Sequence, residues 1–267
     1  MRGRALRLSF AVLEAALAAS LAVTLVGCSS STGKTSTSEP TSTAASGEPI
    51  KIGAVISLTG PYAGLGEPEK NTLEMEVERI NAAGGVNGRP VELVIEDDAT
   101  DEAKAVAATS KLIEQDGVVA VIGATGTGQT MAMRGDIERA GVPQVSMAGG
   151  TVITNPVSSL VFATPWSNLI VVPTEFAAMQ KAGVKKIAII SDSGGFGKDG
   201  VAVLEKEAPN FGISIVDKET FNPGDTDFAA QLTKIKGSGA DAMVMWAAGK
   251  EAASVVKQAR DLGLKLP

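Results

Sequence analysis

From residue 50 onward, short apolar runs alternate with segments of helical periodicity, and this alternation limits the fold more than any other feature. Predicted strands occupy 50–56, 91–95, 118–122, 142–145, 186–191, 213–218 and 241–246. Predicted helices occupy 67–83, 101–115, 129–140, 169–182, 198–210, 226–236 and 250–262. Short buried strands separated by helices form parallel sheets that are covered on both faces. The pattern therefore predicts an α/β fold built from doubly wound parallel sheets.

A looser stretch at 146–168 interrupts the alternation, which then restarts. We therefore expect two lobes, 50–166 and 167–267, joined by a hinge. In open parallel sheets a ligand binds beyond the carboxyl ends of the strands. Small and hydroxyl-bearing residues fill the segments expected at those ends, which are 57–60, 123–128, 146–151, 191–196 and 246–249. Such segments let backbone N–H groups approach a ligand closely, so the sequence predicts a binding site at this edge.

Cys28 is the only cysteine of the chain, and it follows a basic start and a mostly apolar run at 8–26. This arrangement is typical of a secretory signal peptide. Leu25-Val26-Gly27-Cys28 also resembles a lipobox, the bacterial site where a signal peptide is cut and the new terminal cysteine is acylated. We expect a signal peptide at 1–27 and a lipid anchor on Cys28, which would hold the protein outside the cytoplasm at a membrane. The alternative, a transmembrane helix, would place Glu14 within the bilayer at high cost.

Composition removes several classes of function. The Ser/Thr-rich segment 28–49 has too little apolar surface to offset the cost of ordering, which predicts a disordered linker. Histidine is absent, which excludes histidine general bases, Ser-His-Asp triads and histidine metal ligands. The net charge of −6, without a basic run, argues against nucleic-acid binding. We expect no cofactor and no metal.

Two glycine patterns keep a nucleotide-binding enzyme as an alternative. Residues 195–200 match G-x-G-x-x-G, and 123–128 come close to it. In a dinucleotide site the first glycine belongs to a tight turn directly after the strand, whereas several residues intervene at 195. A tight turn into a helix explains both patterns better, so NAD-dependent chemistry is the weaker alternative.

Acidic and aromatic residues near the strand ends also allow two interpretations. The acidic cluster at 96–102 could bind Ca²⁺, although acidic residues there more commonly cap the following helix. Aromatic side chains in or near the strand-end loops either wall a pocket or pack in a core. These aromatic residues are Tyr62, Trp166, Phe196 and Trp246.

Six stretches carry a more specific signal. They are IKIGAVISLTGPYAGLG at 50–66, INAAGGVNGRPVELVIEDDATDEAKAVAATSKLIEQDGVVAVIG at 80–123, AGVPQVS at 140–146, KKIAIISDSGGFGKDG at 185–200, PGDTDFAAQLTKIKGSGAD at 223–241 and QARDLGLKLP at 258–267. In this order they resemble the leucine/isoleucine/valine-binding family of ABC-transporter solute receptors. The similarity extends over 50–267.

The resemblance implies a type I periplasmic-binding-protein fold, whose two lobes close over a solute and then dock on a membrane permease without catalysis. The implied solute is small and carries a carboxylate, with a branched-chain or other apolar amino acid as the first choice. A receptor for an aromatic acid or amide, or a ligand sensor of the same fold, is the alternative. We expect a monomer that acts with an ABC permease.

The family's ligand contacts carry over to particular residues. Thr127 matches a hydroxyl position after the third strand. Ala148 matches a backbone carbonyl after the fourth strand, and Gly150 or Thr151 matches a threonine beside it. Phe196 stands where a ring often faces the ligand from the second lobe.

The chain also departs from the family pattern. Leu65 and Ala248 replace tyrosines that are common in the family, while Trp246 lies two residues before Ala248. Trp166, in ATPWSN, would suit an aromatic wall. These departures favour a ligand other than leucine. The resemblance further implies that an acidic partner for the ligand's ammonium and the rest of lobe two would follow Pro267, so we expect a fold that is incomplete at its C-terminus.

Overall fold

The computed structural model describes residues 46–267. The predicted signal peptide, Cys28 and most of the linker lie outside the described residues. The last linker residues, predicted to be disordered, are held in place: Ser46 N donates to Gly88 O at 2.9 Å and Arg89 Nε donates to Glu48 O at 2.8 Å. Within 46–267, none of the helices combines the length and the apolar character needed to cross a bilayer.

The first lobe is built on a parallel sheet with strand order β2-β1-β3-β4-β5. Its elements are β1 (Ile50–Ile56), α1 (Ala63–Ala82), β2 (Val91–Asp97), α2 (Glu102–Lys111), β3 (Ala120–Gly123), α3 (Thr127–Ala140), β4 (Gln144–Ser146) and β5 (Val161–Ala163). Val55 and Val121 of the sheet pack against Leu112, Met133 and Ile137, and all five are fully buried. The apolar positions of the helical segments thus cover the continuous apolar strands.

The second lobe has a parallel sheet with order β7-β6-β8. Its elements are α4 (Asn168–Lys181), β6 (Lys186–Asp192), α5 (Gly195–Glu207), β7 (Ser214–Phe221), α6 (Ala229–Gly237), β8 (Ala242–Trp246) and α7 (Glu251–Asp261). Ile187 and Ile189 of β6 join a core cluster with α4 and α5, while Ala188 and Ile190 join another with α6 and α7. Because successive strand residues point to opposite faces, the central strand is buried on both sides. The predicted α/β architecture of parallel sheets is confirmed.

Differences from the predicted elements are local. The stretch at 146–168, expected to be loose, contains β5 and a short 3₁₀ turn at Thr151–Ile153. Helix α1 begins at Ala63 rather than at 67, and α5 begins at Gly195 rather than at 198. Both helices start with residues that carry no apolar periodicity, which is why the sequence placed their beginnings too late. The boundary predicted after residue 166 falls between β5 and α4.

Two neighbouring carboxylates at the end of β2 have opposite environments. Asp97 accepts hydrogen bonds from Leu58 N (2.9 Å), Thr59 N (3.2 Å) and Thr59 Oγ1 (2.7 Å). Partial burial raises the pKa of Asp97, but these bonds outweigh it and the net shift is downward. Asp98 is fully buried, and this burial raises its pKa although Ser57 Oγ donates to Asp98 Oδ1 at 2.6 Å. Among the described residues, nothing hydrogen-bonds Asp98 Oδ2.

The acidic cluster at 96–102 is used for turns and caps. Asp101 accepts from Lys104 N at 2.9 Å, which caps α2. Within the part of the chain that the structure describes, no group of three or more potential metal-ligating side chains occurs. The cap interpretation of the cluster therefore holds at Asp101, and Asp97 serves the turn after β1.

Asp98→Asn should raise the melting temperature at about pH 8. A carboxyl whose folded pKa is raised stabilises the fold below its unfolded pKa, and this stabilisation is lost as pH rises through the folded value. The amide keeps the acceptor for Ser57 and removes the buried charge. The gain should therefore shrink as pH falls toward about 4. Thermal unfolding followed by circular dichroism across this pH range measures both effects.

Asp97→Asn is the matched control, because it changes the adjacent residue in the same way. It should lower stability at about pH 8 by about 1 kcal/mol, since an amide accepts fewer of the hydrogen bonds that Asp97 receives. A lower melting temperature for Asp98→Asn than for the parent would contradict the assignment of a buried charge whose second oxygen has no partner among the described residues.

Candidate functional site

A cavity of about 250 Å³ lies where the carboxyl ends of strands from both lobes meet. Its walls are formed by Leu65, Thr125, Gly126, Thr127, Met147, Ala148, Gly149, Pro165, Trp166, Asn168, Val171, Phe196, Trp246 and Ala248. Pockets for drug-sized ligands are typically about 300–1,000 Å³, so this one suits a smaller metabolite. None of these described lining residues carries a charged side chain, so the partial charges among them are those of backbone groups and neutral polar side chains.

The start of α3 supplies that backbone charge. The helix begins at Thr127, and the preceding Gly126 has no side chain to cap the first turn. Free N–H groups at a helix start carry a partial positive charge that favours a carboxylate. Thr127 is only 2% exposed, and its Oγ1 has no hydrogen-bond partner among the described residues. A buried hydroxyl without a partner costs free energy.

A buried hydroxyl network fixes the loops around this helix start. Thr130 Oγ1 lies 2.8 Å from Ser146 Oγ and accepts from Ala124 N at 3.1 Å. Ser146 Oγ in turn accepts from Ala148 N at 3.1 Å. The ends of β3 and β4 are therefore held together, which positions Ala148 opposite the start of α3.

Thr125 links the same region to α1. Its Oγ1 accepts from Ser57 N at 3.0 Å and donates to Glu69 Oε2 at 2.6 Å. Burial raises the pKa of Glu69, the bond from Thr125 opposes this shift, and the charge of Asp98 adds to it. The hydroxyl of Thr125 is thus engaged on both sides, unlike that of Thr127.

Aromatic rings from the second lobe face the helix start. Phe196 and Trp246 stack with ring centroids 6.0 Å apart and an interplanar angle of 23°. Gly200 lies directly beneath the indole, because a β-carbon there would be 2.0 Å from both Cδ1 and Nε1 of Trp246. Trp166 is 76% exposed while contributing to the wall, which places it at the mouth of the cavity.

Asp199 joins the lobes beside the cavity. From α5 it accepts hydrogen bonds from Thr151 N at 2.7 Å and Val152 N at 3.2 Å, both in the 3₁₀ turn of the first lobe. It also accepts from Asn168 Nδ2 at 2.6 Å. Charge-assisted bonds of this kind are stronger than neutral ones, so Asp199 holds the two lobes against each other.

Seven of the residues singled out from the sequence meet in the cavity wall, namely Leu65, Thr127, Ala148, Trp166, Phe196, Trp246 and Ala248. Gly150 and Thr151 do not line it. Gly150 lies behind Thr127, since a β-carbon there would be 2.3 Å from Thr127 Cγ2. Thr151 turns its backbone N–H to Asp199, and its buried hydroxyl has no partner among the described residues.

Sequence reasoning missed other wall residues. Met147 lines the cavity, as do Thr125 and Asn168. Thr125 lies two residues before Thr127 in a strand-end loop, so its position gave a usable signal. Asn168 gave little signal, because its role depends on Asp199, 31 residues away.

Comparison with known proteins identifies the family. The family model described as periplasmic binding protein matches residues 49–267. The chain belongs to this family. It is 33% identical to "Leu/Ile/Val-binding protein homolog 3" of Brucella melitensis over 220 residues, or 81% of this chain and 59% of the relative. It is 32% identical to a leucine-, isoleucine-, valine-, threonine- and alanine-binding protein of Pseudomonas aeruginosa, over 80% of this chain and 58% of that protein.

Solved structures of periplasmic binding proteins agree with the architecture. An extracellular ligand-binding receptor from Rhodopseudomonas palustris HaA2 superposes with a TM-score of 0.77 at 26% identity, covering 82% of this chain and 60% of that chain. The branched-chain amino acid transporter substrate binding protein LivJ of Streptococcus pneumoniae, in complex with isoleucine, gives 0.72 at 33% identity, covering 82% and 63%. The chain thus spans about three fifths of the length of the relatives described here.

In this periplasmic binding protein the glycines of the G-x-G-x-x-G pattern serve packing. A β-carbon at Gly195 would lie 2.6 Å from Gly128 N, in the other lobe, and one at Gly197 would lie 1.9 Å from Asp192 O. Gly200 accommodates Trp246, as described above. All three glycines are explained by close approach of protein atoms, which favours the tight-turn interpretation over a nucleotide site.

Gly200→Ala should displace the Trp246 indole. Overpacking of a well-packed site typically costs about 1–3 kcal/mol, so we expect a lower melting temperature and altered tryptophan fluorescence. Gly135→Ala is the control, since Gly135 lies on the exposed face of α3 with no atom within 4 Å of the added carbon. That change should stabilise the helix by about 0.5–1 kcal/mol. Equal effects of the two substitutions would show that Gly200 is not a packing requirement of the aromatic wall.

Proposed function

We propose that this protein is the extracytoplasmic solute-binding component of an ABC importer and binds a small carboxylate-bearing solute, most readily an apolar amino acid. The observation that carries the proposal is the uncapped start of α3, with the unpartnered Thr127 hydroxyl, at a cavity whose wall is mainly apolar. A carboxylate would bind there while the side chain contacts the aromatic wall. The relatives named for leucine, isoleucine and valine binding support this class of solute.

An aromatic acid or amide is the second candidate. The stacked Phe196–Trp246 pair and the exposed Trp166 provide flat surfaces suited to a ring. An aromatic acid shares the carboxylate of the first candidate, whereas an amide does not. A ligand sensor of the same fold would use the same cavity, and an NAD-dependent enzyme is disfavoured by the packing roles of the glycines at 195–200.

Thr127→Ala should weaken binding of the solute by about 1–3 kcal/mol, because the solute's polar group loses a buried partner. Isothermal titration with leucine, isoleucine, benzoate and NAD measures affinity and chooses among the candidates. Thr233→Ala, on the exposed face of α6, is the matched control and should leave affinity unchanged.

Each result of this titration has a defined meaning. Unchanged affinity in Thr127→Ala would refute the placement of the carboxylate at α3. Tighter binding of benzoate than of the amino acids would favour the aromatic-acid receptor. Binding of NAD alone would refute the transport function.

We also propose that Cys28 carries a lipid anchor, on the strength of the lipobox-like Leu25-Val26-Gly27-Cys28. Cys28→Ser should move the protein from the membrane fraction to the soluble extracytoplasmic fraction of expressing bacteria. Immunoblots of the two fractions measure this. Retention of the variant in membranes would contradict the anchor.

A further inference from the structure

Tyr62 lies where the two lobes meet, although it is not part of the cavity wall. It immediately precedes α1 and is only 3% exposed. Three glycines surround its ring, Gly126 from the first lobe and Gly194 and Gly249 from the second. A β-carbon at these positions would lie 2.9 Å from Cε2, 3.4 Å from the hydroxyl oxygen and 3.2 Å from Cδ1, respectively. The ring therefore occupies a socket that exists only while the lobes are together.

The second lobe contributes two buried carboxylates to this socket. Asp192 is 1% exposed, and its carboxylate accepts from Gly194 N at 2.8 Å and Ala248 N at 3.2 Å. A β-carbon at Gly194 would lie 2.9 Å from Asp192 Oδ1 and 3.4 Å from the Tyr62 hydroxyl oxygen, so both groups flank the same backbone position.

Glu251, at the start of α7, is the other carboxylate and is 2% exposed. Its Oε1 accepts from Gly224 N at 2.8 Å, whereas its Oε2 is buried without a hydrogen-bond partner among the described residues. The β-carbon position of Gly249 lies 2.7 Å from this Oε2 and 3.2 Å from Tyr62 Cδ1. A buried acceptor that lacks a donor therefore borders the Tyr62 ring.

The charge environment keeps the phenol protonated. Burial raises the pKa of Tyr62, and the charges of Asp192 and Glu251 raise it further. The Tyr62 side chain therefore stays neutral where it enters a socket of the second lobe that two buried carboxylates flank. Separation of the lobes would expose the ring and the two carboxylates to water.

We propose that Tyr62 is a latch residue, which enters the glycine-lined acidic socket of the second lobe and holds the lobes closed around a bound solute. This rests on the proposed solute-binding function for its role in retention. Because Tyr62 does not line the cavity, it acts on the closed state and not on contacts with the solute. It should therefore slow solute release more than it speeds capture.

Tyr62→Phe tests the hydroxyl while it keeps the ring. We expect the dissociation rate of leucine to rise about tenfold with little change in the association rate, measured by stopped-flow tryptophan fluorescence on the whole chain. Glu251→Gln should act in the same direction. The double variant should be less than additive, because both changes alter the same socket. Thr233→Ala is the control and should match the parent protein.

Small-angle X-ray scattering without solute gives a readout that does not depend on binding. Tyr62→Phe should increase the radius of gyration relative to the parent protein, because the lobes open. If Tyr62→Phe unfolds, Glu251→Gln alone must show the same expansion, and an unchanged radius would overturn the proposal.

The latch and the proposed function can fail separately. A parent protein that binds no amino acid, with an expanded Tyr62→Phe variant, would remove the function and keep the latch between lobes. A parent that binds leucine, with release rate and radius unchanged in both variants, would overturn the latch and keep the function.

Discussion

Two parallel strands that are consecutive in the sequence must be joined by a crossover connection. In this protein most of these connections are helices. This requirement brings the carboxyl ends of the strands within a sheet to one edge. Segments that follow β1, β3, β4, β6 and β8 therefore form a single cavity although they are far apart in sequence. The hydroxyl network through Thr130 and Ser146 completes the arrangement, because it supplies hydrogen bonds to backbone groups that the strand ends leave unpaired.

Different parts of the cavity wall offer different interactions to a solute. In the proposed function, the start of α3 binds the charged group of the solute, and the rings and aliphatic side chains of the wall contact the rest of it. No charged side chain occurs among the described lining residues, although Glu102 Oε1 lies beside Gly128 in the first turn of α3. In a cavity closed off from water, an electrostatic interaction is stronger than at an exposed surface. This arrangement supports the proposal that the solute carries a carboxylate.

The sequence predicted those features that depend on local pattern. Continuous apolar runs such as Ile50–Ile56 and the helical spacing around Met133 are local, and both the strands and the core follow from them. The three-residue strand β5 was missed because its pairing with β4, and not its own composition, makes it a strand. Thr151 was placed in the wall by resemblance, whereas its N–H is taken by Asp199, a contact across 48 residues that no local pattern encodes.

The near contact of Gly195 with Gly128 has a consequence for how this molecule can vary. The atoms that a methyl group at 195 would meet belong to the backbone, so they cannot rotate aside as a side chain would. Any larger residue at position 195 would push the two lobes apart. The distance between the two lobes at this point thus depends on residue 195 having only a hydrogen atom as its side chain. One added carbon would increase that distance without altering any residue that lines the cavity.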